Sequence, residues 1–521
     1  MTFTLRPFQM ECVDLFEPYT LDPNVIIERS RLLGDDMGLG KTLEASCIDI
    51  RSRWRAKQTG AWPWRMYTLV TCPGSGVLDS WRKHYARFHP EAKVFVIDRK
   101  NRRPFVDELK KAAAGTSNYH IFICHWEAHR LDDTGIALKQ VKWFHMIADE
   151  VHRIKNRQSQ LSTNFKKCKA FLKTGVSGTF GDNKPDDGWS PLNWLWPNEF
   201  RSYTQFYNDF VDYDMFVRED GKLVRYDSYN PEHRAAPKIK RVTGMRNADQ
   251  LHAQLQGKYI RRRKSDVAKD LPPKIYKTIP VELGPKQRRA YDNMRHQMIA
   301  WLGEHEDEPF ASPSVMVQLM RLQQLALAYG DVEDGWVTRT IEGEKRKVPG
   351  KIMKLADPSA KLDALMTMIE DMPSTEPLVI FSQSRQILEL TAKRLDGVKE
   401  SYGLFTGKTS QTKRNQIIDN FQDGKIRFFL GTIAAGGEGI TLTRANRMVF
   451  FDRTWNPSKN IQTEDREHRI GQSEVVEIID LVGINTIDLG RNQEIQKKWE
   501  HGIAPLLGDN VESIQDQIGA F

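Results

Sequence analysis

The chain has 521 residues, of which 40% are hydrophobic and 28% charged, with a formal net charge of +9. This composition is ordinary for a soluble globular protein. The length corresponds to two to four compact units, at roughly 150 residues per domain. The basic balance favours polyanionic partners such as nucleic acid, although an ordinary basic enzyme fits the charge equally well.

Five cysteines are scattered along the chain, at Cys12, Cys47, Cys72, Cys124 and Cys168. They form no CxxC pair, so the sequence predicts neither a zinc site nor a disulfide framework. Their odd number and wide spacing favour a reducing, intracellular compartment. The N-terminus lacks the pattern of a signal peptide. Because no segment approaches about 20 uninterrupted apolar residues, no membrane span is expected.

In the first half of the chain, short apolar runs alternate with longer mixed segments, a pattern that predicts a buried parallel sheet covered by helices. The predicted strands are Tyr67–Thr71, Val94–Ile97, His120–Cys124, His145–Ala148 and Leu172–Val176. The aromatic, turn-rich stretch 200–245 interrupts this alternation and has a hairpin signal at 219–222. The tryptophans just before it are interpreted as local core, namely Trp189, Trp194 and Trp196.

The second half begins with two segments of helical pattern between about Gly284 and Tyr329, followed by a predicted charged hairpin within 331–351. Alternation then resumes, with predicted strands at Leu378–Phe381, Ser401–Phe405, Arg427–Leu430, Met448–Phe451 and Val475–Val482. The sequence therefore predicts an α/β fold with two parallel-sheet lobes, a helical insertion between them, and a cleft where both lobes grip a ligand.

The strongest local signal is GDDMGLGKT, Gly34 to Thr42, followed by a helix-like segment. Glycines let the backbone approach a phosphate closely, and the N–H groups of the next helix point at it. Lys41 is expected to reach the β- and γ-phosphates and Thr42 to hold magnesium. The usual template, GxxxxGK[ST], has glycine where this chain has Asp35, so a simple glycine turn before a helix is the alternative.

A second signal, MIADEVH, spans Met146 to His152 at the end of an apolar strand. Asp149 is expected to hold magnesium through water, and Glu150 to orient and deprotonate the attacking water. His152 is expected to pair with a polar group of a neighbouring strand. The alternative is a pair of solvated acids at a strand end.

The third signal is QTEDREHRIGQ, residues 462–472. If this segment is helical, Arg466 and Arg469 lie on one face, where two guanidinium groups suit the charge that develops on a triphosphate. An arginine finger typically contributes about 10³–10⁵ in rate. The alternative is a solvated charged helix.

Together these stretches resemble a superfamily-two helicase-type ATPase of the Swi/Snf-like branch. Further similar motifs follow in the family's order, and they are LRPFQ (5–9), LVTCPGSGVLDSWRKHYARF (69–88), VSGT (176–179), RRRKSDVAKDLPPK (261–274), LVIFSQSRQ (378–386) and the long stretch 431–472. The family often reads DEMGLGKT around the phosphate-binding lysine, which accommodates Asp35. One departure is Phe180, where members usually have proline, followed by an unusual DNKPDDGW.

The resemblance implies two RecA-like lobes that use ATP and Mg²⁺, with Thr42 and Asp149 as magnesium ligands. The implied nucleotide contacts are Arg6, Gln9, Gly38, Gly40, Lys41, Thr42 and Gly439. The implied catalytic residues are Asp149, Glu150, Gln462, Arg466 and Arg469. The residues implied to couple hydrolysis to movement are His152, Ser177 and Thr179. The implied DNA contacts are Ser75, Lys83, Gly436, Gly437 and Trp455.

The expected domain organisation has four parts. They are a RecA-like ATP-binding lobe at 1–275 with an insertion at about 200–245, a helical linker at 276–355, a second RecA-like lobe at 356–485 and a C-terminal helical brace at 486–521. The expected function is that of a monomeric, intracellular ATPase that moves along double-stranded DNA. No membrane partner is expected. A strand-separating or annealing helicase, and an ATP-gated clamp on DNA or protein, are the alternatives.

Overall fold

The computed structural model describes residues 5–16, 29–60, 65–97, 101–219, 222–304, 313–341, 344–436, 440–469 and 471–508. Within these residues, two parallel sheets carry helices on their faces, as predicted. We call the unit built on the first sheet lobe one and the unit built on the second sheet lobe two. Among the described helices, none has the length and apolar character needed to cross a bilayer.

Ten strands and eleven α-helices lie within the described residues of lobe one. Its strands are β1 (Ser30–Leu33), β2 (Thr68–Cys72), β3 (Val94–Val96), β4 (Ile121–His125), β5 (Trp143–Asp149), β6 (Ala170–Val176), β7 (Val211–Glu219), β8 (Lys222–Arg225), β9 (Ile239–Met245) and β10 (Tyr259–Ile260). Its helices are α1 (Pro7–Phe16), α2 (Lys41–Thr59), α3 (Ser75–Phe88), α4 (Arg102–Ala113), α5 (Asp132–Gln140), α6 (Gln160–Lys166), α7 (Trp189–Leu195), α8 (Tyr203–Phe210), α9 (Pro231–Ala235), α10 (Ala248–Leu255) and α11 (Lys264–Val267).

The main sheet of lobe one has the strand order β10-β1-β6-β5-β2-β4-β3, and all its pairs are parallel. All five predicted strands of this half are confirmed to within two residues at their ends. In open parallel sheets, ligands bind beyond the carboxyl ends of the strands. Strands β1, β5 and β6 are neighbours, so the segments that follow them meet at one edge.

The stretch 200–245, whose pattern departs from alternation, forms helix α8 and a separate antiparallel sheet of order β8-β7-β9. The hairpin predicted at 219–222 is confirmed by the pairing of Glu219 with Lys222, although Asp220 and Gly221 lie outside the described residues. The three tryptophans interpreted as core are all buried in the largest hydrophobic cluster of lobe one.

Lobe two contains the remaining strands and helices. The strands are β11 (Lys274–Val281), β12 (Tyr329–Ile341), β13 (Glu344–Ala356), β14 (Leu378–Ser382), β15 (Tyr402–Phe405), β16 (Phe428–Thr432), β17 (Arg447–Phe450) and β18 (Val476–Gly483). The helices are α12 (Pro285–Glu304), α13 (Pro313–Leu327), α14 (Ala360–Asp371), α15 (Arg385–Gly397), α16 (Gln411–Gln422), α17 (Ile433–Gly436), α18 (Pro457–Glu464), α19 (Ile487–Lys498) and α20 (Ala504–Leu507).

The parallel sheet of lobe two has the order β11-β18-β17-β14-β16-β15. The range 276–355, expected to be a helical linker, contains helices α12 and α13 but also most of strand β11 and the long hairpin β12–β13. Strand β11 pairs along its whole length with β18, so lobe two takes its edge strand from the segment that follows lobe one.

The end of the described chain returns to lobe one. After α19 comes a π-helical turn, Trp499–Ile503, and then α20. Trp499, Ile503 and Leu506 are buried in the same hydrophobic cluster as the core of lobe one. Tyr259 on β10 donates a hydrogen bond from its hydroxyl to the carbonyl of Leu507 at 3.1 Å. The C-terminal segment therefore connects lobe two to lobe one through apolar burial.

Candidate nucleotide site between the lobes

A cavity of about 190 Å³ lies between the lobes, where the segments following β1 and β5 face the turn after α18. Residues from both lobes form its wall. Lobe one contributes, among others, Gly38, Gly40, Lys41, Thr42, Asp149, Glu150 and His152, and lobe two contributes Gln462, Asp465, Arg466 and Arg469. Nine of the residues expected at a nucleotide or catalytic position therefore meet in one place.

The loop from Gly34 to Thr42, here called the phosphate loop, leads directly into the N-terminus of α2. Gly38 and Gly40 have φ angles of 87° and 94°, which favour glycine because other side chains rarely adopt them. Lys41 donates from Nζ to the carbonyls of Asp35 (2.5 Å) and Asp36 (3.0 Å), so its ammonium lies across the loop. The loop therefore combines a helix N-terminus with a lysine, the arrangement that binds phosphate.

Asp35, the departure from the glycine template, is explained by Arg262 in the segment between β10 and α11. Both side chains are buried, and the guanidinium contacts the two carboxylate oxygens of Asp35 and also Glu44 on α2, the latter at 2.7 Å. The backbone N–H of Arg262 donates to Asp35 at 2.9 Å. Asp35 therefore anchors the loop to the far edge of the sheet, which an apolar or absent side chain could not do.

Two acids stand at the end of β5. Asp149 accepts a hydrogen bond from Trp81 Nε1 at 2.8 Å. Burial and the adjacent charge of Glu150 raise the pKa of Asp149. Burial also acts to raise the pKa of Glu150, but the hydrogen bond from His152 and the charges of His152, Lys41 and Arg466 outweigh it and lower that pKa. Glu150 is therefore the carboxylate of this pair that stays ionised more readily.

The residues expected to couple the acids to movement lie next to Glu150. His152 Nδ1 lies 3.1 Å from the Ser177 hydroxyl and 3.3 Å from Glu150 Oε2. Ser177 donates to Glu150 at 3.3 Å and accepts from the Thr179 backbone N–H at 3.2 Å. The structure thus connects the end of β5 to the VSGT segment after β6 through a chain of hydrogen bonds.

The two arginines are not on a helix. Helix α18 ends at Glu464, and residues 465–469, here called the arginine turn, form a turn and a bend, so the helical spacing assumed from the sequence was wrong. The turns nevertheless place Arg466 and Arg469 on the cavity wall. Arg469 lies against the phosphate loop, because a Cβ added to Gly38 would stand 3.0 Å from Arg469 Cβ. Its guanidinium donates to Thr441 at 2.9 Å within lobe two.

Lys264 is a residue of the site for which sequence analysis gave no role. Its backbone N–H donates to Asp36 at 3.0 Å, while its buried ammonium reaches Asp465 (2.8 Å) and the carbonyl of His468 (2.5 Å) in lobe two. Lys274 approaches the same Asp465 carboxylate at 2.9 Å. The only available signal was the lysine-rich stretch RRRKSDVAKDLPPK, whose spacing does not reveal which lysine crosses between lobes.

The expected nucleotide contacts Arg6 and Gln9 lie beside the phosphate loop and not on the cavity wall. Gln9 donates from Nε2 to the carbonyl of Leu39 at 2.9 Å and accepts from the backbone N–H of Arg6 at 3.0 Å. The Arg6 guanidinium lies 3.7 Å from Asp270. In this structure the side-chain amide of Gln9 joins the phosphate loop, through Nε2, to the backbone before α1, through Oε1.

Of the residues expected to contact DNA, those that the structure describes do not line the cavity. Ser75 begins α3, and Lys83 on the same helix is exposed and pairs with Asp79 at 2.8 Å. Gly436 ends α17 and is buried, and Trp455 is half-buried. Two glycines from the predicted set, Gly437 and the nucleotide contact Gly439, lie outside the described residues.

Magnesium would meet suitable oxygen atoms in this cavity. The Thr42 hydroxyl and the Asp149 carboxylate belong to residues of the same wall. Within the described ranges, no group of three or more His, Cys, Asp or Glu side chains has the arrangement of a metal site. A magnesium ion with one carboxylate ligand fits this donor set, because Mg²⁺ at phosphate sites keeps several waters and takes other ligands from the substrate.

Comparison with known proteins agrees with this geometry. A model of the SNF2-related domain matches residues 22–328, and a model of the helicase conserved C-terminal domain matches residues 360–471. The chain is 26% identical over 486 residues to Chromodomain-helicase-DNA-binding protein 1-like of Danio rerio, covering 93% of this chain and 42% of that protein. It is 28% identical over 492 residues to the ISWI chromatin-remodeling complex ATPase ISW1 of Saccharomyces cerevisiae, covering 93% and 39%.

Among solved structures, the Sulfolobus solfataricus SWI2/SNF2 ATPase core in complex with dsDNA is similar, with 22% identity, coverage of 99% of this chain and 97% of that chain, and a TM-score of 0.41. The chain spans about two-fifths of the length of the two curated relatives. The first family match alone covers more than half of the chain. The chain belongs to the SNF2-related family and is a helicase-like ATP hydrolase.

Proposed function

We propose that this chain is a DNA-dependent motor that couples ATP hydrolysis between its lobes to movement along double-stranded DNA. The observation that carries the proposal is the shared cavity, in which the phosphate loop and acids of lobe one face the arginine turn of lobe two. A site assembled from two lobes changes whenever the lobes move relative to each other. Such a site suits an enzyme whose turnover is linked to mechanical work.

In the proposed mechanism, the phosphate loop binds the triphosphate of ATP through backbone N–H groups at the start of α2. Lys41 leaves the carbonyls of Asp35 and Asp36 and reaches the β- and γ-phosphates. Thr42 and Asp149 would hold Mg²⁺, which would supply positive charge to the phosphates. Glu150 orients a water and accepts its proton as the water attacks the γ-phosphorus, and the bond from that phosphorus to the bridging oxygen breaks to release ADP and phosphate. The lowered pKa of Glu150 supports this role, because an ionised carboxylate is required.

Lobe two completes the site when the lobes are together. Arg466 contributes charge near Glu150, and Arg469 lies against the phosphate loop at Gly38. We assign to both arginines the stabilisation of negative charge on the transferring phosphoryl group. For Arg469 this requires its guanidinium to turn away from Thr441. Gln462, which lines the same wall at the end of α18, contributes a polar side chain next to them.

Double-stranded DNA as the track is supported by the net charge of +9 and by relatives whose names are those of chromatin-remodelling ATPases. Neutralised phosphates release counterions, so binding should weaken steeply with salt. We assign phosphate contacts to α3, which carries Ser75 and Lys83, and to the region of Gly436, Gly437 and Trp455.

The test measures ATP turnover of the purified chain with double-stranded DNA, single-stranded DNA, forked DNA, RNA and no nucleic acid. We expect the strongest stimulation with the duplex and displacement of a triplex-forming strand from it. Lys41→Ala and Glu150→Gln should abolish turnover while the thermal unfolding midpoint stays near that of the wild type. Turnover indifferent to DNA at low salt contradicts the motor, unwinding of the fork identifies a strand-separating helicase, and stimulation without displacement identifies a clamp.

A further inference from the structure

Residues 180–188 form the loop after the VSGT segment, and their sequence departs from the family pattern. None of them lines the nucleotide cavity. Phe180 is buried and packs edge-on against Tyr259, with ring centroids 5.4 Å apart. A Cβ added to Gly181 or Gly188 would stand 2.2 Å or 3.0 Å from Leu506 of the C-terminal segment. This loop is therefore held in place by tight packing on both sides.

Asp182 in this loop is buried and contacts lobe two through both its side chain and its backbone. Its Oδ1 accepts a hydrogen bond from Asn456 Nδ2 at 2.8 Å, and its carbonyl accepts one from the Ser458 hydroxyl at 2.9 Å. Asn456 is also the N-cap of α18, because its Oδ1 accepts from the Lys459 backbone N–H at 3.1 Å. One asparagine side chain therefore caps α18 and binds Asp182.

On the lobe-one side, Asp182 is tied to the turn that follows the catalytic acids. Lys155 donates from Nζ to Asp182 Oδ2 at 2.6 Å and lies 3.5 Å from Asp187. Lys155 directly follows the 3-10 turn Val151–Ile154, and Glu150 is the N-cap of that turn. Burial acts to raise the pKa of Asp182, but the charges of His152 and Lys155 and the bonds from Lys155 and Asn456 lower it. Asp182 is therefore an ionised carboxylate between two elements of the site.

We infer that Asp182 is a positioning residue. It fixes the position of the start of α18 relative to the turn Val151–Ile154, and through α18 it fixes the position of the arginine turn. The connection runs from Lys155 through Asp182 to Asn456, and then along the two turns of α18 to Gln462 and Arg466. The inference rests on the proposed location of ATP hydrolysis between the lobes and not on DNA as the track. Its expected signature is a change in turnover without a change in ATP binding, since Asp182 does not line the nucleotide cavity.

The experiment exchanges the two side chains. Asn456→Asp keeps the oxygen that caps α18 but removes the donor and sets two carboxylates against each other. Asp182→Asn removes the charge but retains an oxygen that accepts from Asn456. In the double variant Asp182→Asn/Asn456→Asp, the new amide donates to the new carboxylate, so the contact is restored in reverse. Thermal unfolding midpoints of all three variants control for folding.

Steady-state ATP hydrolysis without DNA is measured for the wild type and each variant. We expect Asn456→Asp to lower kcat about tenfold or more, the loss typical of a charge-assisted hydrogen bond replaced by repulsion, with KM for ATP within about twofold. The double variant should recover to within about threefold of the wild type. A kcat of Asn456→Asp near that of the wild type, or a double variant no better than Asn456→Asp, overturns the inference. If the wild type hydrolyses no ATP either without DNA or with double-stranded DNA, the proposed function is refuted instead.

Discussion

Lys264→Met removes the ammonium that crosses from lobe one to Asp465 in lobe two and leaves a side chain of similar length. The Lys264 ammonium is buried and makes both of its contacts, to Asp465 and to the His468 carbonyl, with the turn that carries the two arginines. Because the partners of Lys264 lie in the opposite lobe, the substitution should destabilise the arrangement in which the two lobes are in contact. Each lobe should keep its own core.

The free-energy cost of Lys264→Met depends on which partners Asp465 retains. Breaking a buried ion pair by removing one member typically costs about 3–5 kcal/mol, because the other charge stays buried. Asp465 retains Lys274 at 2.9 Å, which places the expected cost at the lower end, about 3 kcal/mol. A difference of about 1.4 kcal/mol corresponds to a factor of ten in rate, so kcat should fall roughly a hundredfold.

The assay is steady-state ATP turnover at saturating ATP, with nucleotide affinity measured separately using a fluorescent ATP analogue. Lys277→Met is the matched control, because Lys277 lies on β11 with its ammonium exposed and pairs only across the surface with Glu477 at 2.5 Å. Such exposed pairs contribute little. If Lys264→Met and Lys277→Met turn over ATP equally well, the crossing lysine does not position the arginine turn.

Three further predictions concern the surroundings of the site. Arg262→Met should lower the free energy of unfolding by about 3 kcal/mol or more, because the Asp35 and Glu44 carboxylates stay buried without their cation; a denaturant titration that gives wild-type stability contradicts this. Burial lowers the pKa of Lys264 to about 8, so its charge is present below that pH and lost above it. The kcat should therefore decline above about pH 8. If the same decline persists in Lys264→Met, Lys264 is not its source. Trp81→Phe removes the hydrogen-bond donor to Asp149, so the magnesium concentration that gives half-maximal ATP turnover should rise several-fold. An unchanged concentration would show that Asp149 is not a magnesium ligand.

Apolar alternation was sufficient to predict the parallel sheets, because buried strands need continuous apolar runs whatever lies around them. It missed β1, in which Ser30 and Arg31 leave only two apolar residues, and β10, which has only two residues. It also missed β11, in which Lys274 and Lys277 interrupt the apolar run. Their charges are satisfied by Asp465 and Glu477, partners that are nearly 200 residues away in the chain.

The cavity-lining residues Lys41, Thr42, Asp149 and Glu150 of lobe one were predictable because each stands within a short motif that follows directly from a strand. The side-chain contacts that connect one motif to another were not predictable. Arg262 pairs with Asp35 from 227 residues away, and Asp182 meets Asn456 from 274 residues away. Spacing also placed the two arginines on a helix that ends before them, at Glu464. Local patterns determine which residues stand at a strand end, whereas lobe packing determines their partners.

The most direct test of the central claim is a comparison of ATP binding and ATP turnover in Arg466→Ala. The account places ATP on the phosphate loop of lobe one and the arginine in lobe two, so the variant should bind ATP with nearly wild-type affinity. Its turnover should fall by about 10³ or more, as expected for loss of an arginine that stabilises the transition state. Turnover within about threefold of the wild type would contradict a catalytic site shared by the two lobes.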